Sequence, residues 1–400
     1  MIRLGFIGVG GYGRWQLESF LPFQHDGRLR ICALADPSEG ALSAASCLAG
    51  LEQATRFTDY EAMLDAGDLD AVVISSPIPT HEEMALAASS RGLFVLLEKP
   101  PVPLLSQLER LIAADKRGRV MVGFQHIYSP LLREMKRAVW SGEIGQPLSI
   151  SGSGLWPRAT KYYERASWAG KLFWNQRATL DGPCTNGMSH FVNSLFFVAG
   201  TGATGFALPR YLEGEAYRAH PLASYDLGVM RGETDGGLVF NALFSHAAAE
   251  TVPVRFVVQG TEGKIKLGDN NKLLEDSRGR ITTGSDGRRE LPLAFLDFVE
   301  GQAKKNLTGL EAARAYVLAT NMMFLSSGGI HDVAKRHAVA RSPGTAEAIH
   351  EVQGLQELVG HASEDGAPRA TTGMPWAVQP RRIERGEFNE QQMLSLLRSR

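Results

Sequence analysis

An apolar run, Arg3–Val9, passes straight into Gly8-Val9-Gly10-Gly11-Tyr12-Gly13, and no other stretch restricts the possible folds as strongly. A G-x-G-x-x-G at the end of a first strand uses one glycine for the tight turn. A second lets a pyrophosphate approach the backbone, and a third lets helix and strand touch. The helix that follows offers unpaired N–H groups and the positive end of its dipole to phosphate oxygens. In a chain with 43 glycines the hexapeptide alone is weak evidence, and a structural turn would use the same residues. Its place at a first strand–helix junction makes it a dinucleotide signal.

The residues after it support that reading. Near-continuous apolar runs recur at Leu29–Ala35, Ala71–Ser75, Leu93–Leu97 and Val120–Phe124, as in parallel strands buried on both faces. Thr58 with Glu61 and Thr80 with Glu83 fit the S/T-x-x-E capping box, predicting helices over 59–66 and 81–91. Strand and helix alternate, so residues 1–124 are predicted to be a Rossmann domain with a doubly wound parallel sheet. The second strand ends at Asp36, whose carboxylate can accept both ribose hydroxyls of an adenosine and repel a 2′-phosphate. No Arg stands beside it, which favours NAD over NADP; a helix cap is the plainer role for Asp36.

After Gln125 the rhythm changes. Gln146–Leu155, Phe206–Glu215, Gly237–Ser245, Val254–Gln259 and Lys264–Leu267 read as strands, with apolar helices over 188–199 and 309–327. The fold class is therefore α/β. It joins the Rossmann domain to a C-terminal α+β domain, residues 125–400, with a large, mostly antiparallel open sheet. Gly284-Ser285-Asp286-Gly287 reads as a hairpin tip, and 363–387 as a surface strap before a last short helix. A sheet with one face uncovered by helices would expose too much apolar surface for a monomer, predicting a homodimer or homotetramer.

Composition excludes several classes. Lys plus Arg is 42 and Asp plus Glu is 43, so no global charge draws the chain to nucleic acid or acidic lipid. The apolar run near Phe94–Leu105 is broken by Glu98, Lys99 and prolines, which argues against a membrane span. Met1–Gly10 runs into glycines without a cleavage signal and reads as a strand. Cys32, Cys47 and Cys184 form no C-x-x-C and suit reduced thiols in a cytoplasmic protein, with Cys184 either an active thiol or a buried filler. The remaining histidines show no ligand spacing, so no metal is predicted; His81-Glu82-Glu83 lacks the second His of H-E-x-x-H.

The fourth long strand ends as Glu98-Lys99-Pro100-Pro101, and ligands of such sheets bind beyond the strands' carboxyl ends. An ammonium there could stabilise negative charge on a substrate oxygen, or could simply be solvated. At this point the chain resembles the Gfo/Idh/MocA family of oxidoreductases. The likeness runs in order through GVGGYG, Ala35-Asp36, Ser76-Pro77 with Thr80-His81, Glu98-Lys99-Pro100 and Val122-Gly123-Phe124-Gln125. It continues through Ser141-Gly142-Glu143-Ile144-Gly145-Gln146-Pro147 and Gly260-Thr261-Glu262-Gly263. It implies oxidation or reduction of sugars, polyols and their relatives. By resemblance Lys99 contacts substrate and cofactor, Ser75, Ser76, Pro77 and His81 flank the nicotinamide half, and Glu98 lies on the cofactor side.

Asn186 and His190 are four apart and are predicted to share a face at the start of the 188–199 helix. Family members commonly carry Asp and His at this spacing, with the His as base; His190 matches, and Asn186 departs from the pattern. Asn can orient the imidazole or hold a hydroxyl but supplies no charge. Trp156, Arg158, Tyr163, Arg165 and Trp168 lie in a loop dense in aromatics and cations, suited to stacking on sugar rings or to packing between domains. Gln125 and His126 close the fifth long strand and are expected to face the same crevice. The leading expectation is an NAD-dependent dehydrogenase or reductase of a carbohydrate or polyol. A redox-neutral glycoside-cleaving enzyme and a nucleotide-bound sensor are the alternatives.

Overall fold

The computed structural model describes residues 1–303, 305–365 and 373–399. The chain forms two compact units. The first comprises Met1–Val102, Ser106–Gln125 and Arg288–Ala313; the second takes Pro103–Leu105, His126–Gly287 and Arg314–Arg400.

In the first unit the order is β1 (Ile2–Ile7), α1 (Tyr12–His25), β2 (Leu29–Ala35), α2 (Glu39–Ser46), β3 (Thr55–Phe57), α3 (Tyr60–Asp65) and β4 (Ala71–Ile74). It continues with α4 (His81–Ser90), β5 (Phe94–Leu97), α5 (Leu105–Ala114) and β6 (Val120–Val122). All neighbours in the sheet are parallel, in the order β3-β2-β1-β4-β5-β6. The chain reverses direction of travel between β1 and β4, the switch point where doubly wound sheets bind nucleotides. Leu4, Phe6, Val72, Val73, Val95 and Leu97 are wholly buried, which explains the unbroken apolar runs. β3 gave no such run, because Thr55 and Arg56 are exposed on an edge strand of three residues.

Both helix starts differ in detail from the capping boxes. Asp59, not Thr58, caps α3 by accepting from the Glu61 amide at 3.1 Å. The Thr80 hydroxyl turns back to Ser76 Oγ and the Pro77 carbonyl and caps nothing in α4.

The boundary at 124 also needs correction, since Arg288–Ala313 belongs with the Rossmann sheet rather than with 125–400. Helix Glu290–Val299 sets Phe295 edge-on to Phe20 (6.3 Å) and Phe298 edge-on to Phe94 (5.3 Å). Arg28 pairs with Asp297 and Glu300, and Val122 N–H donates to the Thr308 carbonyl at 2.7 Å. These contacts join residues well over a hundred positions apart.

The second unit contains α6 (Pro130–Trp140), β7 (Pro147–Leu155), α7 (Thr160–Tyr163), β8 (Phe173–Trp174), β9 (Arg177–Ala178) and α8 (Ser189–Ala199). Then come β10 (Pro209–Arg218), β11 (Leu227–Thr234), β12 (Val239–Ser245), β13 (Val252–Gly260), β14 (Lys264–Gly268), β15 (Leu273–Glu275) and β16 (Ile281–Thr283). After helix Arg314–Ser327 follow β17 (His331–Asp332), β18 (Ala338–Arg341), β19 (Ile349–Val352), helix Leu355–Asp365, β20 (Ile383–Glu384) and helix Glu390–Arg398. The large sheet runs β16-β15-β14-β13-β7-β12-β11-β10-β17, with β20 also on β10. It is antiparallel except at β7–β12 and β10–β17. The hairpin tip falls at Asp276–Arg280, where the Asp276 carboxylate accepts from the Arg278 and Arg280 amides. Gly284–Gly287 instead links β16 to the next helix.

One face of this sheet packs on α8 and on helix Arg314–Ser327, through Phe196 on Phe240 (5.3 Å) and Tyr225 on Phe324 (5.2 Å). The other face is not the bare apolar surface expected. At one end Leu155, Tyr217, Leu227 and Leu243 are covered by Val352, Leu355, Leu358, Val359 and Trp376. Farther along, the cross-strand row on that face reads Glu213, Arg231, Asn241, Ser151, which is polar. Part of the predicted strap, 366–372, lies outside the described residues. Its described end docks through Val378 N–H on the Tyr217 hydroxyl and through β20 on β10.

Candidate active site

In the first unit the glycine turn forms a cradle. Gly8 sits at φ +84°, and a Cβ there would lie 2.6 Å from the Ser75 carbonyl oxygen. A Cβ on Gly13 would lie 2.1 Å from the Gly8 carbonyl oxygen, so α1 can approach β1 only through glycine. Gly10, Gly11 and Tyr12 are exposed, and α1 starts with no side-chain cap. No side chain therefore competes with an anion at this helix start, where the Gly13 amide closes the turn on the Gly10 carbonyl at 2.9 Å. Asp36 accepts from the Val9 amide (3.0 Å) and the Ser38 amide (2.9 Å), which holds its carboxylate beside this turn. The Tyr12 hydroxyl donates to Gln125 Oε1 at 3.4 Å, joining two of the predicted cofactor residues. Backbone cradle, open helix start and an acidic group at the end of β2 together fit a dinucleotide.

The Glu98-Lys99 turn follows β5 directly, and the Lys99–Pro100 bond is cis. Gln16 on α1 donates from Nε2 to Glu98 Oε2 (2.9 Å), and its Oε1 accepts from the Ser75 hydroxyl. Sequence reading missed Gln16, which here ties the glycine helix to both cofactor-side turns. His81 is buried, its ring nitrogens 2.8 Å from the Pro100 carbonyl oxygen and 2.9 Å from that of Ser76. It braces the Ser76-Pro77 turn against the Lys99-Pro100 turn and offers no nitrogen to a ligand, which corrects its predicted cofactor contact. Burial is the main cause of its lowered pKa.

Burial also pushes Glu98 up to about 7, against the pull of Lys99. The folded chain therefore holds this proton where the unfolded chain has lost it, so stability falls as pH rises from about 4.5 to about 7. Glu98→Gln is expected to flatten that fall. Denaturant melts at pH 5 and pH 8 should differ less for the variant than for the native chain, and an unchanged difference would refute the assignment.

In the second unit Asn186 does not lie in the first turn of α8. It sits in a preceding π turn, Pro183–Gly187, closed by Gly187 and Met188 amides donating to Gly182 and Pro183. Such turns often accompany functional sites. Two buried tyrosines pin it: the Tyr225 hydroxyl accepts from the Thr185 amide (3.0 Å), and the Tyr316 hydroxyl donates to the Thr185 carbonyl (2.8 Å). His190 follows in α8, with the His126 ring 4.6 Å from its own and Phe191 packed on His126.

A buried carboxylate, Asp181, lies against the side-chain amide of Asn186. Asn186 Nδ2 donates to Asp181 Oδ1 at 2.7 Å, and Asp181 Oδ2 accepts from the Gly170 amide at 2.7 Å. Asp181 is 3% exposed and also lies 3.5 Å from Arg165. In the sequence it stands before Gly182-Pro183 and reads only as a turn residue, so nothing signalled this role.

The aromatic loop orders itself as an alternating stack. The Arg158 guanidinium lies over Trp156 (5.7 Å) and Tyr162 (4.8 Å), and that of Arg165 over Tyr162 (3.9 Å) and Trp168 (5.0 Å). Tyr163 was the predicted ligand contact, but it turns inward to His246 and His220. Neighbouring side chains on the short helix α7 diverge, and Tyr162 takes the place in the stack. Cys184 is wholly buried and burial raises its thiol to about 12, so it is packing rather than a nucleophile.

Residues 2–126 match the oxidoreductase family Gfo/Idh/MocA, NAD-binding Rossmann fold. The inositol 2-dehydrogenase of Streptomyces avermitilis is 41% identical over 124 residues, covering 30% of this chain and 36% of that protein. Inositol 2-dehydrogenase 4 of Saccharopolyspora erythraea is 36% identical over 152 residues, 37% of this chain and 43% of that protein. The chain thus spans less than half the length of these curated relatives. Among solved structures, the WlbA dehydrogenase of Bordetella pertussis, in complex with NADH and UDP-GlcNAcA, superposes with a TM-score of 0.69. It has 21% identity over 82% of this chain and 96% of that one, a likeness of fold. Among the described residues no helix is long and apolar enough to cross a membrane. The cradle, the strand order and the matched stretch agree: residues 2–126 are similar to the NAD-binding Rossmann domain of the Gfo/Idh/MocA oxidoreductases.

Proposed function

We propose that this protein is an NAD-dependent oxidoreductase that moves a hydride between the secondary alcohol of a sugar, polyol or glycoside and nicotinamide. The observation that carries this is the glycine cradle with Asp36 at the end of β2, in a stretch matching NAD-binding oxidoreductases. Gly8, Gly10, Gly11, Tyr12 and Gly13 would hold the pyrophosphate and Asp36 the adenosine ribose, with Ser75, Ser76, Pro77, Glu98 and Gln125 toward the nicotinamide half. Bound NAD+ supplies the hydride acceptor.

The protein's own part is proton and charge handling. In the oxidising direction His190 takes the proton of the substrate hydroxyl, a task suited to an imidazole. Lys99 stabilises the negative charge left on that oxygen. Asn186, its amide turned by the bond to Asp181, orients the hydroxyl through its carbonyl end. Catalysis then rests on holding the donor carbon near the nicotinamide.

Because the curated relatives are inositol 2-dehydrogenases, inositols head the test panel. Absorbance at 340 nm is followed with NAD+ or NADP+ and inositols, sugars and glycosides, with product analysis for cleavage. NADH formation in proportion to oxidised alcohol supports the reading. Aglycone release without NADH, or no turnover on the panel, would count against it.

A further inference from the structure

The loop stack carries a charge that no carboxylate among the described residues pairs with. Arg165 has Asp181 beside it. Among the described residues no carboxylate lies within ion-pair distance of Arg158, whose half-buried guanidinium is held between Trp156 and Tyr162 and whose buried Nε lacks an acceptor. Fixing a guanidinium between two rings costs most of its side-chain freedom before any ligand arrives, which is what a pre-organised anion receptor requires.

The stack also lies along the turn that carries Asn186 and the start of α8 with His190. At one end Trp156 packs edge-on against Phe191, the residue after His190, at 5.5 Å. At the other, a Cβ on Gly187 would lie 3.8 Å from the Tyr162 hydroxyl and 2.6 Å from His246 Nε2. His246 is 1% exposed, its Nε2 has no partner among the described residues, and burial followed by the Arg158 charge keeps the ring neutral. Of the two buried nitrogens, that of His246 borders the turn next to Asn186 and that of Arg158 lies in the stack beside Tyr162. Unsatisfied groups of this kind are costly in a folded protein unless a ligand completes them.

We propose that the substrate is an anionic sugar: a carboxylate or phosphate on it pairs with Arg158, while its C–H face lies on the Trp156 ring. This rests on the reading of Asn186 and His190 as the residues at the reacting alcohol. It narrows the substrate class from neutral polyols to sugar acids or sugar phosphates. A charge-assisted bond to a fixed guanidinium predicts a preference of about ten- to hundredfold over the neutral counterpart.

The test is titration calorimetry on the full chain saturated with NAD+, using D-glucuronate, D-glucose 6-phosphate and D-glucose. At least one anion is expected to bind tenfold or more tightly than glucose, and the two anionic arms show which oxyanion is received. Arg158→Met should bring the anion and glucose to within about twofold. Arg158→Lys keeps the charge without the planar fork and should retain part of the preference; both variants are checked for an unchanged melting temperature with NAD+ alone. Glucose binding as tightly as the anions, a preference that survives Arg158→Met, or failure of all three probes to bind would overturn the proposal while NAD+ binding stands. Failure of NAD+ itself to bind would instead overturn the oxidoreductase reading, and this proposal with it.

Discussion

Lys99→Met is expected to lower kcat by about a hundred- to a thousandfold, the usual cost of removing one group that stabilises a developing oxyanion. Methionine keeps most of the length and apolar volume of the stem and removes the ammonium. NAD+ affinity should change far less, because the proposed function assigns the phosphates to backbone amides of the glycine turn and the ribose to Asp36. Parallel measurement of kcat and of NAD+ binding by fluorescence separates the two effects. Equal losses in both would make Lys99 a cofactor anchor only, and undiminished turnover would remove it from the chemistry.

The second large effect concerns stability. Lys136 on α6 is buried with its ammonium directed at three backbone carbonyls, those of Phe197, Gly200 (2.5 Å) and Gly205 (2.8 Å), at the carboxyl end of α8. The same group lies 4.3 Å over the Phe197 ring. A cation at the negative end of a helix satisfies its terminal carbonyls, of which that of Phe197 also accepts from the Gly200 amide at 3.2 Å. Lys136→Met takes this donor from the Gly200 and Gly205 carbonyls at about 1–3 kcal/mol each, and a loss of roughly 3–5 kcal/mol is expected. That corresponds to a fall in Tm of roughly 5–15 °C.

Burial pushes the Lys136 ammonium down to about 7, well below its ordinary 10.5. Between those values the unfolded chain binds more protons, so the native chain gains stability as pH rises through that window. The gap between native and Lys136→Met should therefore widen from pH 7 to pH 10. A melting temperature unchanged by the substitution would show that the carbonyls find other partners.

What could be read in advance follows from how local each signal is. β1, β2, β4 and β5 are buried on both faces, so Leu4, Phe6, Val72 and Val95 advertise themselves as runs. β11 was missed because Gly228, Arg231 and Gly232 interrupt its apolar pattern, although it lies mid-sheet between β10 and β12. The candidate residues Asp36, Lys99, Asn186 and His190 could be named in advance because all stand at or near ends or starts of elements. Their partners were not. Asp181 reaches Asn186 only because a π turn brings its side chain back over five residues, and Gln16 reaches Glu98 across 82 positions. Tyr162 and Tyr163 are alike in composition, and only the short helix α7 decides which of them enters the stack.

The proposed function requires Lys99 and His190 to act on one and the same oxygen, although they belong to different units of the chain. The most direct test is a double-mutant cycle on kcat/KM with Lys99→Met, His190→Asn and the double variant, using whichever alcohol gives NADH. Groups that serve one transition state are strongly non-additive, so the double variant is predicted to be within about tenfold of the worse single variant. Losses that multiply in full, or a single variant at native rates, would contradict a shared site of action.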